Sequence, residues 1–87
     1  MSEEQPIGYV SHYFGKISVA ALELNGTVRV GDWVQFYGNN TNFSQQITSM
    51  QIDRAPVEEA YEGQSIGVQV DYQVREGDYV YLIAPPE

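Results

Sequence analysis

Two aspartates occupy matching places in a segment that the chain repeats. Asp32 lies in "TVRVGDWVQFY" (27–37) and Asp78 in "QVREGDYVYLI" (73–83), and "YEGQSIGVQV" (61–70) is a weaker third copy. Two carboxylates could act as general acid and base, or ligate a metal, if the fold brought them together with a further base or nucleophile. The same residues also suit a sharp turn, because glycine adopts unusual backbone angles and an aspartate oxygen accepts backbone N–H bonds. We predict structural corners at Gly31, Asp32, Gly63, Gly77 and Asp78.

Other side chains that could do chemistry lack partners in the sequence. His12 is the single histidine and there is no cysteine, whereas a zinc site needs three or four ligands. A nucleophilic Ser11 or Ser18 would depend on that one imidazole, and no nucleophile elbow is present. Glu58 and Glu59 are adjacent, and neighbours on a strand face opposite ways. We therefore predict no enzymatic activity, no metal site and no cofactor.

Length and composition predict one domain. Eighty-seven residues with 43% hydrophobic content suit a single core. We expect a flexible N-terminus over 1–6, one domain over 7–84 and a short tail over 85–87. No apolar run approaches the roughly 18 residues of a membrane span, and the N-terminus is acidic and polar, so we expect no signal peptide or anchor. Together with the absence of cysteine, this favours a cytoplasmic protein.

The charge of the chain argues against direct nucleic-acid binding. Four basic residues stand against twelve acidic ones, for a formal net charge of -8. The long-range field of such a domain repels phosphate backbones. The cations are also scattered along the sequence, whereas nucleic-acid readers usually cluster them.

Short β-branched and aromatic segments between turn residues predict strands rather than helices. Asn25-Gly26 predicts a tight hairpin, and Pro56 marks a connection with at most a short edge strand. The fold class is all-β: a small closed or partly open antiparallel β-barrel of six or seven strands. The strand segments are 7–14, 16–24, 27–32, 32–38, 43–53, 64–71 and 78–84.

Alternation of side chains assigns the faces of these strands. Three sets of apolar residues alternate with more polar ones, so each set is expected to face the core. They are Val34 and Phe36, Val80 and Leu82, and Ile66, Val68 and Val70. Apolar residues in 16–24 and in 43–53 fall out of phase. A β-bulge in each of those two strands would explain the slip, and bulges help to bend a sheet into a barrel.

Aromatic residues make up 13% of the chain, more than a small core demands. Trp33, Tyr37, Tyr79 and Tyr81 fall on the wetter side of their strands, and amphipathic aromatics of this kind are favoured at interfaces. If the two strands are adjacent, the four side chains form one surface. We predict that this surface binds a protein or ribonucleoprotein partner, and a like subunit would also fit it. The alternative is that these side chains lie on the surface because they favour strands, or that they cover the ends of the barrel.

The motifs resemble those of a known family. "GKISVAALELNGTVRVGDWVQFYG" (15–38) and the run from "QQITSMQID" to "REGDYVYL" (45–82) are similar to the second domain of translational GTPases such as elongation factor Tu. "VSHYFGKISVAALEL" (10–24) and "FSQQITSMQI" (43–52) look still more like small stand-alone translation-factor-like proteins. The "VGD" corner and "FSQQITSMQ" are also similar to the C-terminal barrel of U32-family peptidases. The resemblance covers residues 7–83 and implies a barrel of the translation-protein type.

The same resemblance implies a binding role without GTP, because the phosphate-cradling "GxxxxGK[ST]" loop is missing. The leading hypothesis is a non-enzymatic, translation-related module that docks onto a protein or ribonucleoprotein. An alternative is an accessory barrel for a separately encoded U32-type enzyme. A further alternative is direct binding of RNA or of the end of tRNA.

Overall fold

The computed structural model describes residues 5–85, which form ten β-strands and no helix. The predicted flexible N-terminus and C-terminal tail fall largely on residues 1–4 and 86–87, which lie outside the described residues. The number of strands exceeds the predicted six or seven because several are only two or three residues long. The strands are β1 Gly8–Phe14, β2 Val19–Leu24, β3 Val28–Arg29, β4 Trp33–Gly38, β5 Thr41–Gln46, β6 Met50–Ile52, β7 Ala55–Val57, β8 Glu59–Ala60, β9 Ser65–Gln69 and β10 Tyr79–Ile83.

Eight of these strands form one antiparallel sheet in the order β5-β4-β10-β1-β2-β9-β6-β7, and β3 pairs with β8 in a second, two-stranded sheet. The prediction of an all-β antiparallel fold is confirmed. A closed barrel is not found among the described residues, because the outer strands β5 and β7 do not pair with each other. Since no described residue is helical, none belongs to a helix long and apolar enough to cross a membrane.

The core lies on the inner face of the large sheet and follows the predicted alternation. Val34 and Phe36 on β4, Val80 on β10, and Ile66 and Val68 on β9 are all buried. Leu82 was expected in the same stripe as Val80, but 45% of it is exposed. The core therefore does not extend to the last residues of β10.

The β-bulge lies in a different strand from those predicted. The register between β1 and β2 shifts between Val10 and His12, which leaves Ser11 as the extra residue. This shift turns Tyr13 towards the core, while His12 and Phe14 face outwards. The two bulges predicted from the sequence are wrong, because 16–24 and 43–53 are not continuous strands: residues 15–18 form a turn, and 47–49 separate β5 from β6.

Asn25-Gly26 does not form the predicted hairpin. Neither residue has a positive φ, and the strands on either side belong to different sheets, since β2 pairs with β1 and β9 whereas β3 pairs with β8. The dipeptide lies instead where the chain leaves the large sheet, and the Asn25 N–H donates to Ile7 O at 2.7 Å. The tight two-residue turn with positive φ is at Asp53 and Arg54, between β6 and β7. The segment around Pro56, expected to be a connection with at most a short edge strand, contains two short strands: β7, the last strand of the large sheet, and β8, which pairs with β3.

Candidate functional site

The repeated segments form three corners of the same construction. In each corner, a backbone N–H donates to the carbonyl oxygen of the residue three positions earlier, at 3.0 to 3.1 Å. The three donor and acceptor pairs are Asp32 and Arg29, Asp78 and Arg75, and Gln64 and Tyr61. The side-chain oxygen of the later residue accepts the N–H of the earlier one at 2.7 to 2.9 Å. The glycine between them has a positive φ, which glycine adopts without strain: Gly31 at 100°, Gly63 at 88° and Gly77 at 91°.

The two aspartates of these corners are not placed for joint chemistry. Each uses a carboxylate oxygen to accept a backbone N–H of its own turn. Because β4 and β10 are antiparallel, with Trp33 opposite Ile83 and Tyr37 opposite Tyr79, Asp32 and Asp78 precede opposite ends of the pair. At about 3.3 Å per residue, this separates them by a distance on the order of 20 Å.

The remaining candidates also have local roles. His12 is exposed, with Nδ1 3.1 Å from Glu76 Oε2. The Ser11 hydroxyl lies in the bulge and donates to Ala21 O at 3.2 Å, and Ser18 is a turn residue with a φ of 56°. Within residues 5–85, no three His, Asp or Glu side chains are grouped so that they could hold a metal ion.

Glu59 is the centre of a surface network. Its Oε1 accepts the Tyr61 hydroxyl at 2.7 Å, and its Oε2 pairs with Arg29 Nε across the β3–β8 sheet. The hydrogen bond from Tyr61, followed by that from Arg29, lowers the pKa of Glu59 below its usual 4.5. The same bond to Glu59 raises the pKa of Tyr61 above its usual 10.0. The network thus favours a charged Glu59 and a neutral Tyr61.

The network predicts a small loss of stability in acid. A carboxyl with a lowered folded-state pKa stabilises the fold above its unfolded pKa, and this contribution is lost as the pH falls through the folded-state value. We expect the free energy of unfolding to fall between pH 6 and pH 3 by more in the wild-type chain than in Glu59→Gln. The difference should be small, because solvent screens exposed charges. Urea titrations at both pH values measure it, and equal pH dependence in the two proteins would contradict the role of Glu59.

The four aromatic residues singled out from the sequence lie on neighbouring strands. Tyr79 is directly opposite Tyr37, and Ile83 is opposite Trp33. Tyr37 is 51% exposed and Tyr79 50%, while Trp33 and Tyr81 are half-buried. All four side chains therefore share the outer face of the β4–β10 pair.

Tyr9 extends this group and was missed by the sequence reasoning. It is opposite Tyr79 on β1 and 41% exposed, so that Tyr9, Tyr79 and Tyr37 form a row across three strands. Alternation with the buried Val10 could have assigned it to the outer face, but the adjacency of β1 and β10 could not be read from the sequence. We call this surface the aromatic face: Tyr9, Trp33, Tyr37, Tyr79 and Tyr81.

On the β4, β5 and β10 side, the surroundings of the aromatic face are polar but uncharged, whereas Tyr9 on β1 has Glu23 directly opposite it on β2. Every outward position of β4, β5 and β10 is occupied by an aromatic, amide, hydroxyl or aliphatic residue. Gln35 Nε2 donates to Asn42 Oδ1 at 2.8 Å, which ties the amides of β4 and β5 together. In a chain with a net charge of -8, the part of this face on β4 and β10 can approach another surface without burying a carboxylate of β4, β5 or β10.

Comparison with known proteins supports one of the resemblances drawn from the sequence. No protein-family model matches the chain. An uncharacterized protease of Methanocaldococcus jannaschii is 40% identical over 78 residues, which are 88% of this chain and 19% of the relative. The crystal structure of the C-terminal domain of a protein assigned to the U32 peptidases, from Geobacillus thermoleovorans, superposes with a TM-score of 0.86 at 20% identity. The match covers 97% of this chain and 99% of that domain.

A selenomethionine variant of the same Geobacillus domain gives a TM-score of 0.84 at 21% identity, over 88% of this chain and 98% of that one. At this level of identity the match concerns the fold alone. These comparisons do not show the resemblance to translation factors. The chain thus has the fold of the C-terminal domain of this U32 peptidase, and it spans about a fifth of the length of the curated relative that it matches.

Proposed function

We propose that the chain is a non-catalytic accessory domain that works with the catalytic part of a U32-type peptidase. The observation that carries this proposal is the 40% identity to one fifth of a protease, which leaves about four fifths of that relative for the catalytic machinery. The corner aspartates support it, because Asp32 and Asp78 are occupied by their own turns. The domain's contribution is then binding and positioning rather than bond cleavage.

The aromatic face is the surface proposed to contact the catalytic part. Tyrosine and tryptophan bury a large area with few rotatable bonds and keep a polar group for a hydrogen bond at the rim. The row Tyr9, Tyr79 and Tyr37 gives three such side chains at the spacing of adjacent strands. The absence of charge at the outward positions of β4, β5 and β10 reduces the desolvation penalty that buried carboxylates would add, and leaves Glu23, opposite Tyr9, as the carboxylate at the edge of this face.

The proposal is tested by complementation. The Methanocaldococcus relative is prepared without the segment that matches this chain, and the chain is added back in a calorimetric titration and in a casein hydrolysis assay. We expect a complex with a dissociation constant in the micromolar range, and hydrolysis that rises as the complex forms. Tyr37→Ser with Tyr79→Ser should weaken binding at least tenfold, which corresponds to about 1.4 kcal/mol.

A matched control is Tyr72→Ser, which removes a tyrosine that is 64% exposed but does not belong to the aromatic face. We expect this variant to bind as the wild-type chain does. Absence of any complex between the chain and the truncated relative would contradict the accessory role. Self-association of the chain through the same face, or binding to tRNA that fades with added salt, would favour the other partners expected from the sequence.

A further inference from the structure

The backbone conformation does not explain why glycine follows Asn25. Neither Asn25 nor Gly26 has a positive φ, so the pair is not a tight turn of the kind that requires glycine. A Cβ added at Gly26 would meet only Ile7, at 3.7 Å from Cγ2 and 3.9 Å from Cβ, which are ordinary van der Waals distances. Alanine would therefore fit at position 26. What remains distinctive about the pair is its chemical reactivity.

An asparagine followed by glycine can modify itself. Hydroxide removes the proton of the Gly26 N–H, and the nitrogen attacks the side-chain carbonyl carbon Cγ of Asn25. A new N–C bond forms, the amide C–N bond of the side chain breaks, and the leaving group takes a proton from water and departs as ammonia. Water then opens the resulting succinimide ring at either carbonyl. One opening gives aspartate, and the other gives isoaspartate, in which the backbone runs through the side-chain carbonyl.

The structure leaves both reacting groups of this pair unrestrained. Asn25 is exposed, and within residues 5–85 no hydrogen bond involves its side-chain amide, its carbonyl oxygen or the Gly26 N–H. The last anchored backbone group before the pair is the Asn25 N–H, which donates to Ile7 O at 2.7 Å. Backbone pairing resumes at Val28, the first residue of β3. The peptide unit that must rotate during the attack is therefore free to do so.

The other three asparagines of the chain lack these properties. Asn39 and Asn40 form the turn between β4 and β5, and both precede a residue with a side chain, which hinders the approach of the attacking nitrogen. Asn42 lies within β5, where pairing with β4 fixes its backbone, and its Oδ1 accepts the Gln35 amide at 2.8 Å. Sequence and structure thus both single out Asn25.

We propose that Asn25 is a site of spontaneous deamidation in the folded chain, and that its isoaspartyl product weakens the junction between the two sheets. The isoaspartyl form lengthens the backbone by a methylene group between β2 and β3. Val28 lies just beyond this point, is only 1% exposed in the core and pairs with Ala60 on β8. The longer backbone must therefore disturb either this packing or this pairing. The inference concerns the β2–β3 junction and does not rest on the proposed accessory role.

The test follows the whole folded chain during incubation at pH 8 and at pH 6. Trypsin cuts after lysine and arginine, so it releases Asn25 in segment 17–29 and the other three asparagines together in segment 30–54. Mass spectrometry detects the replacement of the amide NH₂ by OH. We expect segment 17–29 to change at least tenfold faster than segment 30–54, and at least tenfold faster at pH 8 than at pH 6, because hydroxide generates the nucleophile. An isoaspartyl methyltransferase with labelled S-adenosylmethionine should label segment 17–29.

Two glycine variants test the mechanism. Gly26→Ala places a methyl group beside the attacking nitrogen, so we expect at least tenfold slower deamidation with a melting temperature close to that of the wild-type chain. The matched control is Gly15→Ala, in the turn between β1 and β2, where a Cβ meets only Tyr13 Cε2 at 3.5 Å. This variant should deamidate at the wild-type rate. A synthetic peptide of residues 17–29 gives the unrestrained rate, and we expect the folded chain to reach it within tenfold.

The effect on the fold is measured on the separated products. Anion exchange isolates the aspartyl and isoaspartyl forms, with the variant Asn25→Asp as the standard for the former. We expect the isoaspartyl form to unfold at a lower urea concentration than the aspartyl form, because both carry the same charge and only one has the longer backbone.

Three results would overturn the proposal. An intact Asn25 in the folded chain, under conditions that convert the synthetic peptide, would show that the fold protects the pair. Equal rates in Gly26→Ala and the wild-type chain would show that attack by an unhindered Gly26 nitrogen is not the route. Equal urea midpoints for the two products would show that the β2–β3 junction accommodates the longer backbone.

Discussion

Gly38→Ala is expected to lower the free energy of unfolding by about 3 kcal/mol, the upper part of the range for a residue forced into a filled space. A Cβ at position 38 would lie 1.9 Å from Asp78 Oδ1 and 2.7 Å from its Cγ. The carboxylate cannot simply move away, because its Oδ2 accepts the Arg75 N–H at 2.9 Å and only 5% of the residue is exposed. Urea unfolding followed by the fluorescence of Trp33, the single tryptophan, measures the loss.

A second substitution tests whether this contact is the cause. In an Asp78→Ala background the clashing oxygens are gone, so Gly38→Ala should lose most of its effect, with a coupling of about 2 kcal/mol. Gly15→Ala is the matched control, because a Cβ there meets only Tyr13 Cε2, at 3.5 Å. The same loss in both backgrounds would mean that the contact with Asp78 is not what requires glycine.

Gln45→Ala is expected to cost about 2 to 3 kcal/mol, the sum of two hydrogen bonds left without a partner. Gln45 is only 4% exposed on β5, and its side chain reaches the last residue of β9 and the chain just after it. Its Nε2 donates to Gln69 O at 2.9 Å, and its Oε1 accepts the Asp71 N–H at 2.8 Å. The side chain thus joins β5, one outer strand of the open sheet, to β9 in its other half, and no backbone pairing within residues 5–85 connects these two strands.

Gln46→Ala is the matched control for this prediction. Gln46 is the next residue, is exposed, and makes one side-chain bond, to Gly31 O at 3.1 Å. We expect its loss to change stability by no more than about 0.5 kcal/mol. Hydrogen exchange at the Asp71 amide should accelerate in Gln45→Ala and not in Gln46→Ala. A protected Asp71 amide in Gln45→Ala would contradict the bridging role.

The features that could be predicted from the sequence are local ones. The corners involve residues three apart, so that the types at 29–32 and 75–78 contain the information for the turn. Alternation likewise assigned Val34 and Phe36 to the core and Tyr37 to the outer face. Whether a segment forms a strand, and which way its side chains point, depends mainly on residues that are close together along the chain.

The features that could not be predicted depend on partners far along the chain. Gln45 appears in the sequence as an ordinary polar strand residue, because its partners are 24 and 26 residues away. The bulge at Ser11 is defined by the register with β2, and Tyr9 joins the aromatic face only because β1 pairs with β10. The adjacency of β2, β9 and β6 in the sheet likewise could not be read from any periodicity.

The position of β10 in the sheet has a consequence for biosynthesis. This strand is the last in the described chain, yet it lies between β4 and β1, both of which are made long before it. Until β10 leaves the ribosome, the pair β4–β5 and the pair β1–β2 lack the backbone pairing that β10 provides between them, and each presents a bare strand edge. The large sheet can therefore be completed only after Ile83 has been translated, when β10 pairs with β1 on one side and β4 on the other.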